Sequence, residues 1–271
     1  MIPATLPTTP QPIAPDTWLI PTLAADGSGA YLGAHTLVVA GREPVVVDTG
    51  CALVRDAWAE LAFSVVDPAD VRWVFISHDD HDHVGNLPFV LEQCRQATLV
   101  CNFAIVSRLA GDLELPLERM RWIDAGESFD AGDRTLHAVR PPMFDSPATR
   151  GLFDPTTGVL WAVDSFGSLF PGEAYDADEI PAEMYDASFD LLNGWNTPWL
   201  EWVAPDRYRS HVAATADLPL AVVASAHGPV HRGERIVDAF RRTMELAGRP
   251  VPPTPGQDAL DQLLAATFAA A

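Results

Sequence analysis

Between His78 and His83 the chain reads His-Asp-Asp-His-Asp-His, three imidazoles and three carboxylates in six positions. Side chains of these two types can hold a metal ion, and the same composition also suits a solvated acidic loop. Position separates the two readings. The cluster follows the apolar run "VRWVFIS" and precedes Gly85, while the apolar runs "VLWAV" and "LAVVASA" lead directly into Asp164 and His227. Ends of strands are rigid, and the loops that leave them can converge on one point. In an extended segment residues i and i+2 face the same side, so His78 and Asp80 can serve one point. Asp82 and His83 come where the chain turns into a helix and can serve a second point close by. Repetition of the pattern at three strand ends favours a metal site over a charged loop.

The elements that must position these residues follow from patterning. "TLVVA" and "PVVVDTG" are β-branched runs joined by the turn "GREP". "LVRDAWAELAFSVV" has helical spacing, "GNLPFVLEQCRQ" reads as a helix after the cluster, "ATLVCN" as the next strand and "FAIVSRLAGDL" as a helix. "RTLHAVR" is strand-like, and "LFDPTTGVLWAVDSFG" forms a hairpin about "DPTTG". Residues 172–216 read as mostly helical, "RIVDAFRRTMELAG" as a helix, "RPVPPTPG" as a linker and 257–270 as a last helix. Trp195, Trp199 and Trp202 fall at i, i+4 and i+7, the spacing of one helix face, either core-facing or walling a substrate or a dimer interface. Strands and helices mix along the whole chain, which gives an α/β class with more than one layer. Three regions are expected: an extended Pro/Thr-rich N-terminal arm at 1–16, a metal-binding domain at 17–248, and a linker with a helix at 249–271.

Bulk properties narrow the function. The 271 residues are 48% hydrophobic, enough for one large core, and the formal charge is −20. No cluster of basic residues is present to neutralise phosphates, so nucleic-acid binding is not expected, and an anionic membrane surface would repel the chain. Cys51, Cys94 and Cys101 are too few and too irregular for a disulfide framework. The N-terminus lacks the basic and apolar regions of a signal peptide, and no run reaches the length of a membrane span. The expected setting is cytoplasmic.

"SHDDHDH" (Ser77–His83) resembles the metallo-β-lactamase superfamily motif Ser/Thr-His-x-His-x-Asp-His, with Asp80 in place of the second histidine. A carboxylate there marks the flavodiiron and oxygen-binding di-iron branch, whose motif is His-x-Glu-x-Asp-His. "VVVDTG", "PPMFDSP", "GVLWAVDSFG" and "SAHGPVHRG" resemble later blocks of that branch, and the likeness covers roughly residues 20–245. It implies a four-layered αββα sandwich with two divalent metals at one edge. By position, His78, Asp80 and Asp164 would hold one metal, and Asp82, His83, His227 and the shared Asp164 the other. Asp48 would orient a ligand or the cluster loop.

Two departures stand out. Asp80 is one methylene shorter than the branch's Glu. Pro142 or Met143 stands where the branch has a metal-binding histidine. The first position is therefore expected to be weakly held, empty, open to a substrate, or completed by another histidine. His35 and His81 are the candidates for a replacement ligand or a nearby donor; His137 reads as a core histidine and His231 as a loop residue. Three carboxylates to three imidazoles favour iron over zinc or manganese. The resemblance implies reaction with O2 or NO, as an oxidoreductase or oxygenase. The alternatives are reversible binding or sensing of these gases, and metal-dependent hydrolysis of an ester, lactone or phosphoester. The chain ends soon after the metal domain, so no flavin domain is expected, and electrons would come from a separate reductase; a homo-oligomer is expected.

Overall fold

The computed structural model describes residues 5–269. Two sheets carry the architecture. The first has seven strands in the spatial order Gln11–Ala14, Thr17–Ile20, Thr36–Val39, Val45–Val47, Trp73–Phe75, Thr98–Cys101 and Met120–Trp122. The second has six, in the order Ser128–Asp130, Thr135–Val139, Gly151–Asp154, Val159–Trp161, Val222–Ala224 and His231–Arg232. The alternation of side chains along each strand shows how the sheets are covered. Val45, Val47, Phe75 and Val100 meet Val159, Trp161, Val222 and Ala224 in a core between the sheets. Their neighbours Val46, Val74, Leu99 and Cys101 face outward and pack with Trp58, Ala62, Val90 and Ile105. On the other side Leu160 and Val223 pack with Tyr185, Phe189, Tyr208, Val212 and Phe240. Strands buried on both faces are apolar at every position, which is why these runs stand out in the sequence. The result is four layers: helices Arg55–Val65, Leu87–Gln93 and Phe103–Leu109 on one face, and Ala182–Asn196, Pro205–Ala216 and Glu234–Glu245 on the other.

Val45–Val47, Trp73–Phe75 and Thr98–Cys101 run parallel, as do Val159–Trp161 and Val222–Ala224. Their carboxyl ends lead to Asp48, the His/Asp cluster, Asp164 and His227, so one edge of the sandwich receives all of these residues. The backbone is bent there: Asp48, Val163 and Phe166 have φ of 60°, 57° and 70°. For a β-branched residue such as Val163 this region is strained by about 1–3 kcal/mol, and its neighbour Asp164 lies at the centre of the site.

Several sequence expectations change. Part of the N-terminal arm, Gln11–Ala14, pairs antiparallel with Thr17–Ile20 as the outer strand of the first sheet. A three-stranded sheet of Leu23–Ala25, Tyr31–Gly33 and Leu169–Phe170 has no counterpart in the patterning. The three tryptophans do not share a helix face. Helix Ala182–Asn196 stops before Pro198, because the residue before a proline disfavours the helical conformation. A short 3-10 helix, Pro198–Trp202, follows and leaves Trp202 80% exposed. His231 is a buried strand residue whose Nε2 lies 2.8 Å from the Tyr185 hydroxyl, not a loop residue. His137 is only half-buried and lines a cleft with Arg140 and His211, so it is not a core histidine. Among the described residues no helix is long and apolar enough to cross a membrane.

Candidate metal centre

The cluster loop leaves Trp73–Phe75 and enters the short helix His81–Val84, for which Asp80 is the N-cap. Asp48, fully buried, fixes this loop. Its Oδ1 accepts the Ser77 N–H at 2.8 Å, and its Oδ2 accepts the Ser77 hydroxyl at 2.8 Å and the Trp161 indole N–H at 3.1 Å. The same Oδ2 lies 3.0 Å from His83 Nδ1, which places the proton on Nδ1 and leaves Nε2 free to bind. His78 and His227 are arranged alike. His78 Nδ1 is 3.1 Å from the Ser77 hydroxyl, and His227 Nδ1 is 2.7 Å from the Gly33 carbonyl. All three imidazoles thus have Nδ1 engaged and present Nε2 to a common space, the arrangement typical of metal-binding histidines.

Asp164 occupies the middle of that space. Its Oδ2 is 3.4 Å from His78 Nε2, and its Oδ1 is 3.1 Å from His83 Nε2 and 3.4 Å from His227 Nε2. Asp80 Oδ2 lies 3.7 Å from His78 Nε2. Asp82 Oδ2 lies 3.3 Å from His227 Nε2 and 3.6 Å from His83 Nε2. Three groups have their ligand atoms within 4.8 Å of one another: His78, His83 and Asp164; Asp82, His83 and His227; His78, Asp80 and Asp145. The six residues expected from the sequence therefore come together. The structure adds Asp145, which sequence reasoning passed over although "PPMFDSP" contains it.

His35 and His81 stay outside these groups. His35 is buried, its Nδ1 accepts the Thr22 N–H at 3.2 Å, and its ring lies edge-on to Phe170. His81 is solvent-exposed on the first turn of its helix. Met143, one of the two residues standing where the resemblance implies a histidine, is buried in the core between the second sheet and its helices.

Electrostatics show what the cluster attracts. Burial opposes charge on His78, as does His83, yet Asp164 and Asp80 hold its imidazole up to about 10. Burial also opposes charge on His83, and Asp164, Asp48 and Asp82 outweigh it, raising its pKa well above the usual range. Burial would raise Asp164, but His78, His83 and His227 carry it well below the carboxylate range. Burial first, then the Asp164 and Asp80 carboxylates, push Asp145 up against the pull of His78. The site gathers positive charge, either as protons or as a cation that displaces them. Among the described residues, the buried atoms His78 Nε2, His83 Nε2 and Asp164 Oδ1 have no hydrogen-bond partner. An unmet buried polar atom costs about 1–3 kcal/mol, and three of them facing one another fit a bound metal.

A four-layered αββα sandwich with a His/Asp constellation at the carboxyl edge of its parallel strands defines a metal-binding protein of the metallo-β-lactamase fold. Within that class, the family model described as "ODP family beta lactamase" matches residues 33–228, and the chain belongs to this family. Among curated proteins it is 26% identical over 216 residues to a putative diflavin flavoprotein A 1 of Thermosynechococcus vestitus, covering 76% of this chain and 36% of that protein. It is 23% identical over 200 residues to an anaerobic nitric oxide reductase flavorubredoxin of Salmonella arizonae, covering 73% of this chain and 41% of that protein. The chain thus spans well under half the length of these relatives. Among solved structures it resembles the flavodiiron protein of Giardia intestinalis, with a TM-score of 0.78, 17% identity, and coverage of 89% of this chain and 59% of that one. It also resembles the rubredoxin oxygen:oxidoreductase of Desulfovibrio gigas, with a TM-score of 0.76, 18% identity, and coverage of 91% and 63%.

Proposed function

We propose that the chain holds a pair of iron ions and reacts with O2 or NO. The observation that supports this most is the placement of Asp164, whose two oxygens face His78 on one side and His83 and His227 on the other. A carboxylate so placed is suited to bridge two ions. Asp80, Asp82 and Asp164 against three imidazoles form a carboxylate-rich donor set, which suits iron better than a closed, histidine-rich set would. Relatives named as a nitric oxide reductase and an oxygen:oxidoreductase point the reading toward these two gases.

When bound, an iron pair supplies the one-electron steps that O2 and NO chemistry requires. The chain's own residues orient and shield. Ser77, Asp48 and the Gly33 carbonyl fix the three imidazoles. A cleft of about 280 Å³ lined by Leu32, Gly167, Leu192, Trp195 and Asn196 opens onto Asp164 and His227. Its largely apolar walls suit a small, weakly polar molecule and disfavour a charged phosphoester, whose desolvation they would not offset. Electrons would come from a separate reductase; a cytoplasmic homo-oligomer fits the same reading.

The test is metal analysis of the full chain purified without chelators, with absorption spectra before and after O2 and with consumption of O2 or NO on adding a chemical reductant. Iron with a gas-sensitive band and turnover is the expected result. Reversible gas binding without turnover would make it a binding protein. Zinc, no visible band and esterase or lactonase activity would replace the reading with hydrolysis.

A further inference from the structure

The position where a metal-binding histidine is missing offers no ligand of its own. Pro142 has no donor atom in its side chain. Met143 is 1% exposed and turned into the core. Its backbone is held at both ends by one hydroxyl: its N–H donates to Ser165 Oγ at 3.1 Å, and that hydroxyl donates to its carbonyl at 3.0 Å. The surrounding loop is equally fixed. The Tyr208 hydroxyl donates to the Pro142 carbonyl at 3.1 Å, the Trp199 indole donates to that of Phe144 at 2.8 Å, and His211 Nε2 meets that of Pro141 at 3.0 Å. Two residues beyond Met143 this loop delivers Asp145, one of whose oxygens accepts the Thr149 hydroxyl at 3.2 Å.

Asp145 stands with His78 and Asp80, their ligand atoms within 4.8 Å of one another. His78 is fully buried, and its Nε2 has no hydrogen-bond partner among the described residues. The same nitrogen is 3.4 Å from Asp164 Oδ2 and 3.7 Å from Asp80 Oδ2. We propose that Asp145 is a metal ligand, and that with His78, Asp80 and Asp164 it completes the first metal position with one nitrogen and three carboxylates. This rests on the reading of the site as dinuclear. The two positions then differ in kind. Asp82, His83, His227 and Asp164 give two nitrogens and two carboxylates, which suits a borderline ion such as Co2+ or Fe2+. The position completed by Asp145 is harder and richer in oxygen, so Mn2+ is a suitable spectroscopic probe of it.

The test titrates the chelator-stripped full chain with Mn2+ alone and with Co2+ alone, reading stoichiometry by equilibrium dialysis and the environment by manganese spin resonance and cobalt absorption. The wild type should bind two ions, with spin coupling between manganese ions at saturation. Asp145→Ala should lose or weaken one ion by at least about 100-fold, the upper end of the cost of losing a partner outside the ligand set. It should also lose the coupling while keeping the cobalt band of the second position, which reports that the fold is intact. Asp145→Asn keeps an oxygen for Thr149 and should show a smaller loss of the same ion. Two ions bound with wild-type affinity in both variants would overturn the assignment and leave the dinuclear reading standing. A single ion in the wild type would overturn both. Two ions without gas reactivity would overturn only the redox reading.

Discussion

Asp48→Asn places an amide where four donors meet: the Ser77 N–H and O–H, His83 Nδ1 and the Trp161 indole, at 2.8, 2.8, 3.0 and 3.1 Å. Whichever way the amide turns, its NH2 faces at least one of these donors. Each buried donor left unmet costs about 1–3 kcal/mol, so the metal-free variant should be destabilised by about that much per donor displaced. The backbone adds no penalty, because Asp48 sits at φ 60° and Asn accepts that conformation. Asp48→Ala leaves all four donors unmet and adds about 1–2 kcal/mol for a left-handed alanine. Metal affinity should fall as well. Partners that orient a ligating imidazole are worth about 10–100-fold, or about 1.4–2.7 kcal/mol, and the loss should fall on the position that uses His83. Urea unfolding of the stripped proteins gives the first quantity, and Co2+ competition against a chelator gives the second. The expected order in both is wild type, then Asn, then Ala. Wild-type cobalt affinity in Asp48→Asn would refute the claim that this carboxylate sets the His83 ring. Equal stability of Asn and Ala would refute the backbone part of the argument.

Other outcomes follow from the same structure. Burial pushes the Cys94 and Cys101 thiols up to about 12. A thiol reagent at mildly alkaline pH should therefore modify only Cys51 in the folded chain and all three cysteines after denaturation; rapid reaction of two or three in native protein would contradict this. Burial, with Arg235 after it, lowers His231 from 6.5 to about 4. The unfolded chain then takes up a proton that the folded one refuses, so stability is lost as pH falls from 6.5 through 4, by up to about 3 kcal/mol. His231→Asn should flatten that part of the urea-midpoint profile, and an unchanged slope would count against it. A Cβ on Gly228 would stand 2.1 Å from the Phe166 carbonyl oxygen. Gly228→Ala should cost about 1–3 kcal/mol through forced backbone movement and should weaken metal binding through the adjacent His227; a wild-type melting temperature would show that the loop yields freely.

Much of the site was legible because parallel strands buried on both faces write themselves as apolar runs, and their carboxyl ends name the residues that gather at one edge. That logic found the cluster, Asp164 and His227, while Asp48 came from the family resemblance, and the Gly151–Asp154 and Val159–Trp161 hairpin was found through its turn. It could not find Asp145. That residue lies in a loop without periodicity, and the shape of the loop is set by hydrogen bonds from Tyr208, His211 and Trp199, which are 66, 70 and 55 positions away from their acceptors. The tryptophan spacing misled for the opposite reason: a local break at Pro198 overrode a regular pattern. His231 was missed because a two-residue strand, His231–Arg232, is too short to show alternation.

The two sheets divide the chain in order: every described strand of the first ends by Trp122 and every described strand of the second begins at or after Ser128, with the exposed turn Asp124–Glu127 between them. The candidate metal centre ignores that division, since the cluster comes from the first half and Asp164 and His227 come from the second. His83 and His227 are 144 positions apart. An ion held by both is a clasp closed over that span, and a cross-link over a loop of about 100 residues is worth about 4.7 kcal/mol in lost denatured-chain freedom. A molecule nicked in the Asp124–Glu127 turn would therefore keep its two fragments together more firmly when loaded with metal than when stripped of it.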